Sequence, residues 1–229
     1  MATLQHLRVA ADRLIELHEE GDLDAALALA DELASEAEAS DDEVARESLF
    51  VARFERAMVL IERDEYAAAA EAFGSAAETP TDPDDPDQRH EVAMALLHRG
   101  MCLDTVGDTE AAIEAYDQVV RRFGAADDLV TRDQVLRAQV NRAASRLAGG
   151  AAATAADEAG VLRADLDPSA PLGAEQWLLA SRIHAAALQE LGRHDDARAV
   201  LIEALAVDLD DPAVIEQREL AEQDLRELD

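Results

Sequence analysis

Lysine is absent from this chain. All 20 cationic side chains among its 229 residues are Arg, set against 51 Asp and Glu for a net charge of -31. Without Lys there is no phosphate-binding loop of the GxxxxGK[ST] kind and no Schiff-base or catalytic lysine. The acidity argues against nucleic acid and anionic membranes as partners, because both require clustered cations. Arg-only usage fits GC-rich codon bias or adaptation to high salt, and composition leaves both open. Cysteine is nearly absent too. Cys102 stands alone, so an internal disulfide and a cysteine metal cluster are excluded. Aromatics make up 3% of the chain. No apolar run approaches the roughly 18 residues of a membrane span. The start, MATLQHLRVAADRL, is amphipathic and lacks a signal-type apolar core, which points to a cytoplasmic location.

What is present is helix-forming. The chain contains 50 Ala, with abundant Leu, Glu and Arg, and shows no alternating Val/Ile runs, so the expectation is all-α. Five segments share one pattern: EEGDLDAALALADELA, IERDEYAAAAEAFGSAA, TVGDTEAAIEAYDQVV, LAGGAAATAADEAGVL and ELGRHDDARAVLIEAL. In each, a helix ends in a short turn and a second helix opens with a small residue. Those small residues are Ala26, Ala69, Ala112, Ala155 and Ala197, at intervals of 43, 43, 43 and 42. Repetition at this scale is the signature of a helical solenoid.

The third segment carries Leu96, Gly100, Leu103, Gly107, Asp108, Ala112, Ile113, Tyr116 and Val119. At that spacing it resembles the tetratricopeptide repeat family, in a long-period form near 43 residues rather than the family's usual 34. The resemblance covers about residues 4 to 208. It implies a right-handed superhelical solenoid of five helix-turn-helix repeats, over about 3–40, 46–80, 90–124, 132–165 and 174–208. A polar-backed capping helix is expected over about 212–228, all within one domain, 1–229. Gly107 makes the turn, while Gly100 and Ala112 let helices approach closely. Tyr116 is the bulky plug, with Phe73 and Leu201 in the same role. The first repeat has Ala30 at that place, and Gly149 and Gly150 leave two registers for the fourth. The acidic stretch 79–90 reads as a solvated loop. Its Asp82, Asp84, Asp85 and Asp87 lack the Gly and terminal Glu of a calcium loop.

The resemblance further implies that the first helix of each pair lines a concave face. Over the first-helix windows the net charge totals -1, over the second-helix windows -16, and the remaining -14 lies in loops and cap. The face implied for recognition is therefore near neutral. Its expected binding residues are Phe54, Met58, Met94, Leu97, His98 and Met101, an apolar trough, with Arg137, Asn141 and Arg182 on its border. Such a face suits a peptide or helix with apolar anchors and a carboxylate. The same methionines could instead pack between repeats, and the Arg–Asn–Arg set could pair within the chain. The Lys and second Asn of the family's two-carboxylate clamp are missing, so a chaperone adaptor of that kind is not expected.

No residues suggest catalysis. The six His form no HExxH and no i, i+4 pair. Glycine fingerprints for cofactors are absent, and Ser residues lack an elbow context. The expectation is a non-enzymatic scaffold with no cofactor and no metal, binding a protein or peptide partner. A ligand-responsive sensor acting through a partner and a self-associating module are the competing readings, and a homodimer is compatible with either.

Overall fold

The computed structural model describes residues 4–79, 82, 85–170, 172–207 and 214–228. Among the described residues there are eleven helices and no strand: α1 (Leu4–Glu19), α2 (Leu23–Ala37), α3 (Glu43–Glu62), α4 (Tyr66–Ala77), α5 (Pro86–Thr105), α6 (Thr109–Phe123), α7 (Leu129–Ala148), α8 (Ala152–Asp165), α9 (Ala174–Glu190), α10 (His194–Ala206) and α11 (Ile215–Glu227). The chain forms two compact units, Met1–Thr131 and Arg132–Asp229.

The tight turns between paired helices have a common backbone device. One residue in each lies at positive φ: Gly21, Asp64, Gly107, Gly150 and Gly192. Glycine adopts this left-handed conformation without a Cβ penalty. Of the two registers open for the fourth repeat, the structure selects the one that turns at Gly150. Asp64 is the exception in residue type, tolerated because Asp can visit this region. Its carboxylate also accepts a hydrogen bond from the Tyr66 hydroxyl at 3.1 Å.

Longer connections end in aspartates that cap the next helix. Asp42 accepts from the Val44 N–H at 3.0 Å, Asp85 from the Asp87 N–H at 2.9 Å and Asp128 from the Thr131 N–H at 2.7 Å. These caps satisfy amides that a helix start leaves unpaired. They also move α3, α5 and α7 earlier than the expected starts near 46, 90 and 132. The stretch 79–90 is therefore not all loop. Pro86 sits in the first turn of α5, where its missing N–H is harmless. Asp84 of the acidic set lies outside the described residues, as does residue 212, where the capping helix was expected to begin.

The first unit packs as successive hairpins. α2 lies against α1 and α3, α4 against α3 and α5, and α5 against α6. Ala26, Ala69 and Ala112 are fully buried, with Phe73 and Tyr116 buried beside the second and third of these. A Cβ on Gly100 would overlap the Tyr116 ring, whose Cδ1 and Cζ would lie 2.7 Å from it. Closing α5 onto α6 thus requires glycine at 100. In the second unit α9 packs on α8, α10 and α11. Its core joins Trp177, Leu178, Leu188, Ala197 and Leu201 to Val214 and Ala221 at the α11 end. Burial of such side chains stabilises by about 1.5–3 kcal/mol each for the larger ones.

Candidate functional site

In the first unit the expected trough divides into a packed part and an accessible part. Leu97 is 0% exposed. It belongs to the core and offers no surface to a partner, which corrects its assignment to the trough. The physical reason is its helical phase, since Leu96 and Leu97 are both turned into the interior between α5 and its neighbours. Phe54 is half-buried. Its ring is 5.7 Å from Phe50, 5.3 Å from Phe73 in an edge-on arrangement and 6.1 Å from His98. The ring mainly ties α3 to α4 and α5. His98 stacks obliquely on Phe73 at 5.3 Å, and its Nδ1 lies 2.8 Å from the Met94 carbonyl. A carbonyl only accepts, so Nδ1 carries the proton. Met58 and Met94 are half-buried, and Met101 is 38% exposed. These three flexible thioethers are the adaptable part of this face.

A polar cluster not anticipated from the sequence lies in the same unit. His18, at the end of α1, reaches two glutamates of α3. Its Nδ1 is 2.6 Å from Glu55 Oε2 and its Nε2 is 3.0 Å from Glu62 Oε1. Burial disfavours a charged imidazole, yet the two carboxylate hydrogen bonds outweigh it and raise the His18 pKa. At Asp128, burial likewise pushes the carboxyl upward, and the Thr131 amide with Arg89 reverses this and holds it below the usual range. Glu91 is the opposite case. Burial, then Glu47, Asp85 and Asp87, push its carboxyl upward.

The second unit contains an open cleft of about 460 Å³. Its apolar surface comes from Ala144, Leu147 and Ala148 of α7 and from Leu179, Ile183 and Ala186 of α9. Ala185, Gln189, Leu201, Asp224, Glu227 and Leu228 also line it, the last three from α11 and its end. Of the expected Arg137, Asn141 and Arg182, only Arg182 lines it. Arg182 donates through Nε to Asp224 Oδ2 at 2.7 Å and through Nη1 to Gln217 Oε1 at 2.9 Å. The cation expected to receive a partner's carboxylate is holding a carboxylate of its own chain. Arg198 and Arg218 tie α10 and α11 to each other. Arg198 donates to the Leu228 carbonyl at 2.6 Å, and Arg218 to the carbonyls of Leu205 and Val207 at 2.8 and 2.9 Å. Arg137 and Asn141 are half-buried on α7, and the Asn141 carbonyl accepts from Ser145 Oγ at 2.9 Å. Farther along α7, Arg142 and Arg146 converge on Glu158 of α8 at 3.4 and 2.7 Å.

Asp224 and Glu227 could have been found in the sequence. Asp224 lies 42 positions after Arg182, close to the interval between the small residues Ala26, Ala69, Ala112, Ala155 and Ala197. Treating the cap as a sixth first helix would have placed it opposite Arg182. His184, by contrast, is a packing group. Gly160 leaves room for its ring, and burial followed by Arg163 and Arg193 pushes its pKa down. Among the described residues, no group of three or more His, Cys, Asp and Glu converges to hold a metal. Nor is any helix there long and apolar enough to cross a membrane.

Comparison with known proteins agrees with this architecture. Residues 93–123 match the sequence model of the tetratricopeptide repeat family. Two crystal structures share the fold. Both contain nearly identical TPR-like repeats from a Podosopora anserina protein described as a kinesin light chain. The first has a TM-score of 0.64 at 16% identity and covers 90% of this chain and 96% of that one. The second has a TM-score of 0.63 at 15% identity and covers 97% of each. No curated protein sequence matches the chain.

Proposed function

We propose that this chain is a non-catalytic protein-binding module that takes up a segment of a partner protein on the faces of its first helices. Tetratricopeptide repeats generally mediate contacts between proteins, and residues 93–123 match that family. The observation that carries the reading is the cleft of the second unit. Its volume of about 460 Å³ falls within the about 300–1,000 Å³ of typical binding pockets. It combines an apolar surface from α7 and α9 with a few polar groups at one end. On the first unit, Met58, Met94 and Met101, with the outer edges of Phe54 and His98, supply a second strip of the same adaptable character.

Ala186 is exposed and lines the cleft, so a Trp placed there fills the space without disturbing the core. Affinity purification from native lysate, quantified for wild type, Ala186→Trp and Met58→Glu/Met101→Glu, tests the reading. Loss of specific partners from one or both variants, with helical circular dichroism retained, is expected. An unchanged set of bound proteins in both folded variants overturns it.

A further inference from the structure

We infer that the cleft of the second unit selects a segment that carries a cationic side chain, Lys or Arg, beside its apolar anchors. This deepens the partner-segment reading above and rests on it. Three independent features set the sign.

The first is the fate of Arg182, the one cation on the cleft lining. Asp224 and Gln217 occupy its Nε and Nη1. A carboxylate from outside would have to displace Asp224 and leave it unpaired. What the lining retains after this pairing is the charge of Glu227, whose Oε1 accepts from the neutral amide of Gln223 at 3.0 Å.

The second is the direction of the helices. The α7 contribution comes from Ala144, Leu147 and Ala148, in the last turns of a helix that ends at Ala148. Gln189 lies one residue from the end of α9, and Asp224, Glu227 and Leu228 lie at the end of α11. Three helix C-termini meet at one end of the cleft, and aligned peptide dipoles give such an end about half a negative charge. Arg198 already holds the Leu228 carbonyl at the α11 end at 2.6 Å, while cations that would compensate the other two ends are missing or engaged. α9 has no basic residue in its last turn. Arg146 is drawn onto Glu158 at 2.7 Å, and Arg226 is exposed with Glu222 at 4.0 Å.

The third is the wider field. Residues 132–229 contain 10 Arg and 19 Asp and Glu. Such an excess attracts cationic segments and repels acidic ones at long range.

Together these place an apolar surface next to a negative end whose cations are already paired. A Leu-, Ile- or Met-type anchor fills the former, and a Lys or Arg nearby reaches the carboxylates of Asp224 and Glu227.

The test is selection of a random-sequence peptide library on the full chain, with counter-selection on Ala186→Trp. Selected peptides should carry apolar anchors with Lys or Arg enriched beside them. In fluorescence anisotropy, exchanging that cation for Glu should weaken binding about fivefold or more at low salt, as expected for one such charge-assisted contact. The difference should shrink at high salt and in Glu227→Gln. Enrichment of Asp or Glu, or no charge preference, overturns the inference and leaves the cleft as a binding site. Cationic peptides that bind Ala186→Trp equally well also overturn it, because they report general attraction to an acidic surface. Failure to enrich any peptide sensitive to Ala186→Trp overturns the underlying cleft reading.

Discussion

Gly100→Ala is the substitution whose outcome the structure constrains most tightly. Glycine inside a helix is ordinarily unfavourable, so Ala should gain about 0.8–1.0 kcal/mol from propensity alone. Here the added methyl has nowhere to go. It would overlap the ring of Tyr116, with two ring atoms at 2.7 Å. The ring cannot easily retreat, because Tyr116 is 1% exposed and its hydroxyl donates to Asp104 Oδ2 at 2.8 Å. If the ring swings away, it forfeits a hydrogen bond to a carboxylate, about 1.5–3 kcal/mol. If α5 shifts instead, overpacking costs about 1–3 kcal/mol. Subtracting the propensity gain leaves a net destabilisation of up to about 2 kcal/mol, centred near 1 kcal/mol. Gly74→Ala is the matched control. Its Cβ would meet only the Arg99 side chain, at an ordinary 3.4 Å, so it should stabilise by about 0.5–1 kcal/mol. Urea unfolding of the first unit, followed by labelling of the buried Cys102 thiol, measures both. In the Tyr116→Leu background the penalty of Gly100→Ala should vanish, because the shorter side chain withdraws from the overlap. Wild-type stability or better for Gly100→Ala, or an equal loss in both backgrounds, would refute this reasoning.

Three further outcomes follow from single sites. Asp64→Gly relieves a non-glycine residue at φ 59° and should raise the urea midpoint by the equivalent of about 0.5–1 kcal/mol; a lower midpoint would mean that the Tyr66 hydrogen bond outweighs backbone strain. His18 is raised by its two glutamates, so its contribution to stability is full below the unfolded value of about 6.5 and is lost as pH rises through the higher folded value. His18→Gln should therefore lose more stability at pH 5.5 than at pH 8.5, values chosen as roughly one or two units either side, and an equal loss at both in thermal melts contradicts the clamp. Burial pushes the Cys102 thiol up to about 11; its reaction with a disulfide reagent at neutral pH should be slow and should track unfolding, whereas immediate stoichiometric reaction of the folded chain contradicts that burial.

Local sequence determined much of this protein because helix hairpins are local objects. Glycine at 21, 107, 150 or 192 permits a turn through its own backbone, and Ala at 26, 69, 112, 155 and 197 announces close contact through its own size. The plug at Tyr116 opposite Gly100 was legible for the same reason, since both partners lie within one repeat. The candidate site was legible only in part. The helical phase indicated the first-helix faces, yet it left Leu97 on the open side, where the interior claims it. It also offered Arg182 to a partner, where an aspartate 42 positions away takes it. His18 belongs to no sequence motif, yet α3 brings Glu55 and Glu62 to both of its ring nitrogens. These failures have one cause. A charged or polar side chain is assigned by whatever partner lies within about 3 Å of it, and pairings across 37 to 44 positions depend on how helices stack. Composition and periodicity therefore determined the helices, their turns and the absence of lysine chemistry. Tertiary packing alone decided which cations were already spent, where three helix ends meet, and hence what charge the cleft presents.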